Sequence, residues 1–226
     1  MKQFGKFQVR SDKLFLILFI TFSAFALHGC TTDIFEEETE VYFNNFNDGD
    51  LQGIVGAEVW NFSNRQILGP FNNDGFTLQL NNLPSHRIIK INFDIYIHDS
   101  WDGNAFGPDG PDLWYLGVDD KVVFETTFSN SPCEPPYCLQ QSYPDAYLSS
   151  YFPRTSALST NFPGRCHFQN QSNGTSLYRI EKRIGHSAAS AKIDMWDLLT
   201  QPNSPDPRCD ESWSIGNLRI SVIAIK

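Results

Sequence analysis

The chain has 226 residues, enough for one domain of ordinary size or two small ones. Hydrophobic residues make up 41% and charged residues 19%, which fits a packed core and excludes a wholly disordered chain. The formal net charge of -9 argues against nucleic-acid binding, because a duplex is bound chiefly by Lys and Arg that neutralise its phosphates. The aromatic share of 14%, with 15 Gly and 13 Pro, favours strands and turns over long helices.

The first thirty residues have the pattern of an export signal. Four basic residues precede an apolar run over residues 14–27, which is shorter than a membrane span of about 20 residues. The run ends in Leu27-His28-Gly29-Cys30, which resembles the lipobox of bacterial lipoproteins. The resemblance implies that residues 1–29 are a cleaved signal peptide and that the Cys30 thiol carries a diacylglycerol, with palmitate among the acyl chains. An ordinary secretory signal or an uncleaved anchor helix is the alternative.

A lipid on Cys30 implies a place in the bacterial cell envelope, at the outer membrane or cell surface rather than the inner membrane. Each buried acyl CH2 contributes about 0.8 kcal/mol, so two or three chains anchor a protein without a transmembrane helix. The acidic segment that follows, with the run Glu36-Glu37-Glu38, predicts a solvated tether over residues 30–40. We therefore expect a signal peptide (1–29), a lipidated cysteine with its tether (30–40) and one domain (41–226).

From residue 41 on, apolar side chains recur at every second position, which indicates half-buried strands. This alternation occurs over residues 76–80, 89–97, 122–128, 191–195 and 218–224. No stretch has an apolar stripe at helical spacing, although Asp194 to Leu199 fits one helical turn. About eight to ten short strands without alternating helices predict an all-β fold, an antiparallel β-sandwich of the jelly-roll kind. We expect Val41–Phe46 and Leu218–Ile225 to lie in one sheet.

Four cysteines remain besides Cys30: Cys133, Cys138, Cys166 and Cys209. An even number in an exported protein predicts disulfides, and three pairings are possible. Cys133 and Cys138 enclose Glu-Pro-Pro-Tyr, a turn that can bring the two sulfurs together, so we favour Cys133–Cys138 with Cys166–Cys209. A four-cysteine zinc site is the alternative, but such sites usually have two close pairs.

Oxygen-bearing side chains are densest just after the 89–97 strand, in a loop rich in Gly and Pro that also contains Asp109. Calcium takes about six to eight oxygen ligands from carboxylates, amides, carbonyls and water, which such a loop supplies. The alternative is a solvated turn in which Asp and Asn cap backbone N–H groups. The predicted calcium ligands are Asp99, Asp102, Asn104, Asp112 and, as a rival centre at the start of the last strand, Glu211.

The segments Asp99-Ser-Trp-Asp-Gly-Asn104, Thr126-Thr-Phe-Ser-Asn130 and Asp210-Glu-Ser-Trp213 are similar to motifs of secreted bacterial β-sandwich proteins that are mostly uncharacterised. The residues from Glu211 to Ile220 also resemble the last strand of MAM, galactose-binding-like and concanavalin A-like jelly rolls. In those domains an acidic residue near the start of the last strand often helps hold a structural calcium. The resemblance implies a jelly roll with calcium and brings no established activity.

Motifs for catalysis are missing from the sequence. There is no Gly-x-Ser-x-Gly, the histidines lack metal-site spacing, and no Gly-rich phosphate loop leads from a strand into a helix. We therefore expect no nucleotide partner and leave open whether the protein is an enzyme. A carbohydrate-active hydrolase that uses two of the loop carboxylates is one alternative, since glycosidases flank the scissile bond with such a pair.

Loop aromatics are the remaining signal. Trp101, Trp114 and Tyr115 lie beside Asp and Asn residues, and flat aromatic faces next to polar side chains are typical of sugar-binding surfaces. Packing in the core is the alternative for each of them. The sequence thus favours a noncatalytic, membrane-anchored domain that binds a glycan or a protein, over the hydrolase and over a purely structural or assembly lipoprotein.

Overall fold

The computed structural model describes residues 36–108, 110–134, 136–200 and 205–225. The predicted signal peptide, Cys30 and residues 31–35 of the predicted tether lie outside the described residues, as does Asp109. Within the described part of the chain, no helix is long and apolar enough to cross a membrane. Residues from Glu36 onward form one compact unit.

The described residues contain twelve strands and a short helix, α1 (Pro207–Asp210). The strands are β1 (Glu36–Asn44), β2 (Ile54–Val55), β3 (Val59–Phe62), β4 (Arg65–Phe71), β5 (Gly75–Asn81), β6 (Ile88–Asp99), β7 (Leu113–Val118), β8 (Lys121–Thr127), β9 (Ser159–Phe162), β10 (Thr175–Gly185), β11 (Ser190–Leu198) and β12 (Glu211–Ile225).

The strands form two antiparallel sheets. One has seven strands in the order β3-β4-β12-β6-β10-β9, with β1 also paired to β12, and the other has five in the order β2-β5-β11-β7-β8. Strands β4 to β7 alternate between the sheets, and the orders β4-β12-β6-β10 and β5-β11-β7-β8 are those of a jelly roll. The predicted fold class is therefore confirmed. Tyr42 pairs with Ile220 and Asn44 with Leu218, so the two ends of the domain lie in one sheet as predicted.

The core lies between the sheets, and β6 shows why the alternating pattern was informative. Its apolar positions Ile89, Ile91, Phe93, Ile95 and Ile97 are all fully buried. Near its carboxyl end the opposite face of β6 is buried too, because Tyr96 of β6 packs in a smaller cluster with Phe62, Ile67 and Leu177. The alternating pattern predicts the burial of the apolar face of β6. The burial of the opposite face depends on side chains that tertiary packing brings from other strands.

One interpretation needs correction, and one strand was not predicted. The helical turn that the pattern of Asp194 to Leu199 fits is absent, because residues 194–198 continue β11, with Met195 buried and Asp194 on the outer face. Strand β10 escapes the pattern because Lys182 occupies an inward position between apolar residues. Its ammonium lies 3.2 Å from the centre of the Phe124 ring, so a cation–π contact replaces an apolar one.

The predicted tether is also too long at its carboxyl end. Residues 36–40 belong to β1 instead of a solvated linker. Alternate glutamates of this strand form ion pairs with the neighbouring strands: Glu36 with Arg183 at 2.7 Å, Glu38 with Lys90 at 2.5 Å and Glu40 with Arg219. The acidic run is a strand because the basic residues of β6, β10 and β12 face it.

Both predicted disulfides are present. Cys133 is bonded to Cys138, and Cys166 is bonded to Cys209. The second bond joins the loop after β9 to α1, across 43 residues of sequence. It therefore fixes that loop against the start of β12, where several of the predicted calcium ligands lie.

Candidate functional site

Trp101 and Trp114 do not reach the surface. Both are fully buried in the main hydrophobic cluster, where each lies against Phe128, and the Trp101 indole donates to the Ser212 carbonyl at 3.0 Å. The prediction that these two residues bind a ligand is wrong, because their side chains point between the sheets. Tyr115 differs, since it lies half-buried on the outer face of the five-stranded sheet.

Two of the predicted calcium ligands have their oxygens engaged by protein groups. The Asp99 carboxylate accepts backbone N–H groups from Arg165, Cys166 and Phe168. Burial raises the pKa of Asp99, although those three N–H groups act in the opposite direction. The Asn104 amide oxygen accepts the Ser142 hydroxyl at 2.8 Å, and its NH2 group donates to the Ser149 carbonyl at 2.8 Å.

Asp112 and Glu211 do meet. Both are buried, the Glu211 side chain acts on the pKa of Asp112, and Asp112 Oδ2 accepts the Asp102 N–H at 2.5 Å. Burial raises the pKa of Asp112 to about 8, so the pair holds a proton at neutral pH. Within the described part of the chain, no three His, Cys, Asp or Glu side chains are grouped to hold a metal ion. Calcium binding by these residues therefore stays a prediction, in which the ion would replace the shared proton.

A groove of about 640 Å3 crosses the outer face of the five-stranded sheet. All five strands contribute to it or flank it, because outward positions of neighbouring strands lie side by side. Val55 of β2 and Val122 of β8 line it and are 70% and 54% exposed, so apolar surface remains open to solvent on both sides. Trp196 and Asp194 of β11 lie between them.

One aromatic side chain, Trp196, lines this groove, and its ring is stacked on that of Tyr115 outside the lining. Trp196 of β11 pairs in register with Tyr115 of β7, and the two rings are 5.0 Å apart at an angle of 8°. The indole lies close above Gly117, where an added Cβ would be 3.0 Å from its Cζ3 atom. On the other side, a Cβ at Gly75 would lie 2.8 Å from the Trp196 Cα. Gly117 therefore makes room for the indole, whereas Gly75 lets the β11 backbone at Met195 and Trp196 lie close to β5.

Polar groups flank the stacked rings. The Thr77 hydroxyl donates to Asp194 Oδ1 at 2.6 Å, and the Lys192 ammonium lies 3.3 Å from Asp194 Oδ2 and 2.8 Å from Asp120 Oδ1. Partial burial raises the pKa of Tyr115, and Glu125 on β8 adds to this effect. The groove thus presents oriented carboxylate acceptors beside flat aromatic surface.

Asp197 lies at the inner side of the same groove. It accepts the backbone N–H groups of Asn73 at 2.8 Å and Asp74 at 3.2 Å. Burial raises the pKa of Asp197 to about 6 despite these bonds. The carboxylate therefore fixes the turn between β4 and β5, which forms one end of the groove.

No protein-family model matches this chain, and neither does any curated protein. Among solved structures, it is similar to a carbohydrate-binding module studied for specific mannan recognition, with 14% identity, 82% of this chain and 98% of that chain covered, and a TM-score of 0.41. It is also similar to a carbohydrate-binding module from Cellvibrio mixtus lichenase 5A (11% identity, 80% and 97% covered, TM-score 0.36). A third is the xylan-binding domain of Paenibacillus barcinonensis Xyn10C (9% identity, 80% and 98% covered, TM-score 0.38).

Sequence reasoning missed Trp196, the central residue of the groove. The signal was present: Ala191, Ile193 and Met195 alternate with Lys192 and Asp194, so the next outward position of the strand holds a tryptophan. A large aromatic side chain on the polar face of a strand indicates a binding surface more directly than an aromatic residue in a loop. The alternation was followed only as far as Met195, so the outward position of Trp196 was not considered.

Proposed function

We propose that this chain is a noncatalytic carbohydrate-binding domain whose glycan lies in the groove over Trp196. The observation that carries the proposal is the Trp196 indole, which lines an open groove on the sheet face and is held by stacking on Tyr115. A pyranose ring has a flat face of C–H groups, which packs on an aromatic face and removes apolar area from water. Hydroxyl groups at the edge of the same ring need hydrogen-bond acceptors.

The groove supplies such acceptors in the same lining as Trp196. Asp194 and Asp120 flank the rings, and their carboxylates are oriented by Thr77 and Lys192. Charge-assisted hydrogen bonds from sugar hydroxyls to carboxylates are stronger than neutral ones. A groove that combines aromatic surface with few fixed polar groups is the general form of a small-ligand site.

The candidate carboxylates of the hydrolase alternative lie away from this groove. Asp99, Asp112 and Glu211 are buried, Asp102 is half-buried, and none of these four lines the groove. A glycan bound over Trp196 therefore meets none of them. We expect oligosaccharides incubated with the protein to be recovered intact, which chromatography of the products measures.

The membrane anchor belongs to the same proposal and rests on the lipobox alone. A lipid on Cys30 would hold the glycan-binding domain at the cell envelope, where polysaccharides are met. Cells fed a palmitate analogue are expected to label the wild-type protein and not the Cys30→Ala variant. Equal labelling of the two proteins would contradict the anchor and leave the glycan site unaffected.

Titration calorimetry on the full chain tests the glycan site. The probes are hexaoses of β-linked glucose, mannose and xylose, with hexagalacturonate as an acidic comparison. Trp196→Ala is expected to weaken binding by about tenfold or more, since loss of about 1.4 kcal/mol of stacking is a factor of ten. Phe152→Ala is the matched control, because Phe152 is an aromatic residue that is 67% exposed in a loop and outside the groove lining.

Three results would contradict the proposal in different ways. If none of the hexaoses binds, the function is wrong. If a hexaose binds equally well to Trp196→Ala and to wild type, the site lies elsewhere on the domain. If Phe152→Ala loses as much affinity as Trp196→Ala, the loops bind the glycan instead of the sheet.

A further inference from the structure

Two histidines from separate loops meet at one end of the sandwich. His86, in the loop between β5 and β6, has its Nε2 atom 2.7 Å from Nδ1 of His186, which follows β10. Nδ1 of His86 lies 2.6 Å from the Pro84 carbonyl oxygen, and Nε2 of His186 lies 3.1 Å from Oδ2 of Asp119 in the turn between β7 and β8. Both imidazoles are about 5% exposed.

The chemistry of these contacts fixes how many protons the two rings carry. A carbonyl oxygen and a carboxylate oxygen only accept hydrogen bonds, so both outer ring nitrogens must carry a proton. The contact between the rings needs one more proton, on either of the two facing nitrogens. Three protons on four nitrogens is one more than two neutral imidazoles hold, and the pair therefore has a charge of +1 whichever ring is assigned the inner proton.

We infer that His86 and His186 share one positive charge in the folded protein and, with Asp119, form a charged clasp between three loops. Nearby backbone bonds join the same segments: His186 N–H donates to the Arg87 carbonyl at 3.0 Å. The clasp is thus an ordered part of the fold, and its proton content is set by the two acceptors at its ends.

The surrounding charges are consistent with one positive charge at this place. Asp119 Oδ2 accepts the hydrogen bond from His186 Nε2, and Asp119 Oδ1 accepts the backbone N–H of Lys192 at 3.0 Å. The ammonium of Lys192 is engaged by Asp120 and Asp194 on the groove side. Arg87 adjoins His86 in sequence and contributes its carbonyl to the contact. Asp119 is therefore the anion that faces the imidazole pair.

Nitrogen NMR of the full chain labelled with 15N-histidine tests the proton count directly. At pH 7 the His86 and His186 rings are expected to show three protonated nitrogens and one unprotonated nitrogen, with signals assigned from His86→Gln and His186→Gln variants. Two unprotonated nitrogens, as in two neutral rings, would overturn the inference. So would four protonated nitrogens.

The Asp119→Asn variant tests the shared positive charge separately from the chain of hydrogen bonds. An asparagine amide can accept the Lys192 N–H and donate to His186 Nε2, so the chain of hydrogen bonds stays closed with only two protons on the rings. We expect two unprotonated nitrogens in this variant. His167→Gln, which removes an exposed histidine elsewhere, is expected to keep the wild-type proton count on the two rings. An Asp119→Asn variant with the wild-type proton count would refute the shared charge.

Discussion

Two regions carry the side chains of a binding site: the outer face of the five-stranded sheet, and the acidic end of the sandwich, formed by Asp99, Asn104, Asp112 and Glu211. The two regions use these side chains in opposite ways. At the acidic end, the side-chain oxygens of Asp99 and Asn104 accept hydrogen bonds from backbone N–H and hydroxyl groups of neighbouring loops. On the sheet face, Trp196 stacks on Tyr115 and lines an open groove. A dense cluster of functional groups indicates a ligand site only when the fold leaves them facing open space.

The largest effect expected from this comparison is a pH dependence of the free energy of unfolding, caused by Asp112 at the acidic end. Burial raises the pKa of Asp112 to about 8, so between the model-peptide value and pH 8 the folded protein holds a proton that the unfolded chain has lost. Stability must then fall as pH rises, by up to about 1.4 kcal/mol per unit. Asp112→Asn, which stays neutral, is expected to remove most of this slope in urea unfolding between pH 5 and 8. A variant that keeps the full slope would place the titrating group elsewhere.

Asp99→Ala is expected to be next in size. It leaves three backbone N–H groups of residues 165–168 without their acceptor, and each buried donor left unsatisfied costs about 1–3 kcal/mol. We expect a loss of about 3 kcal/mol in the free energy of unfolding. Glycan affinity at temperatures where the variant is folded should be unchanged. A weaker hexaose affinity in the folded variant would mean that the two regions are not independent.

Calcium gives a third way to test the acidic end. If Ca2+ binds at Asp112 and Glu211, it stabilises the folded state by about 2.7 kcal/mol at a concentration one hundred times its Kd. The ion competes with the proton that the pair holds, so chelation should lower the melting temperature more at pH 8.5 than at pH 6. Asp112→Asn should abolish the response. If neither chelator nor added calcium changes the melting temperature, the calcium prediction is contradicted and these residues are structural only.

The sequence predicted what depends on local pattern and missed what depends on neighbours brought from far along the chain. The alternation of Ile89 to Ile97 identified β6, and the spacing of Cys133 and Cys138 identified a disulfide. The oxygens of Asp99 are occupied because the loop at Cys166 lies against them, and no local pattern shows that. Lys182 concealed β10 for a similar reason, since only Phe124 of another strand makes its inward position favourable.

The finest test of the sheet-face groove leaves both aromatic residues in place. In Gly117→Ala the new methyl group would lie 3.0 Å from Trp196 Cζ3, closer than ordinary contact, so the indole must lift from the sheet or tilt toward Tyr115. The stacking surface is preserved but its orientation changes, and we expect hexaose affinity to fall about threefold to fivefold, which corresponds to less than about 1 kcal/mol. The ring pair should also shift the near-UV circular dichroism. Gly185→Ala is the control, because an added Cβ there meets nothing within 4 Å. Equal affinity of Gly117→Ala and wild type would show that the glycan does not depend on how the indole is set against the sheet, and the stack would then be a packing contact like those of Trp101 and Trp114.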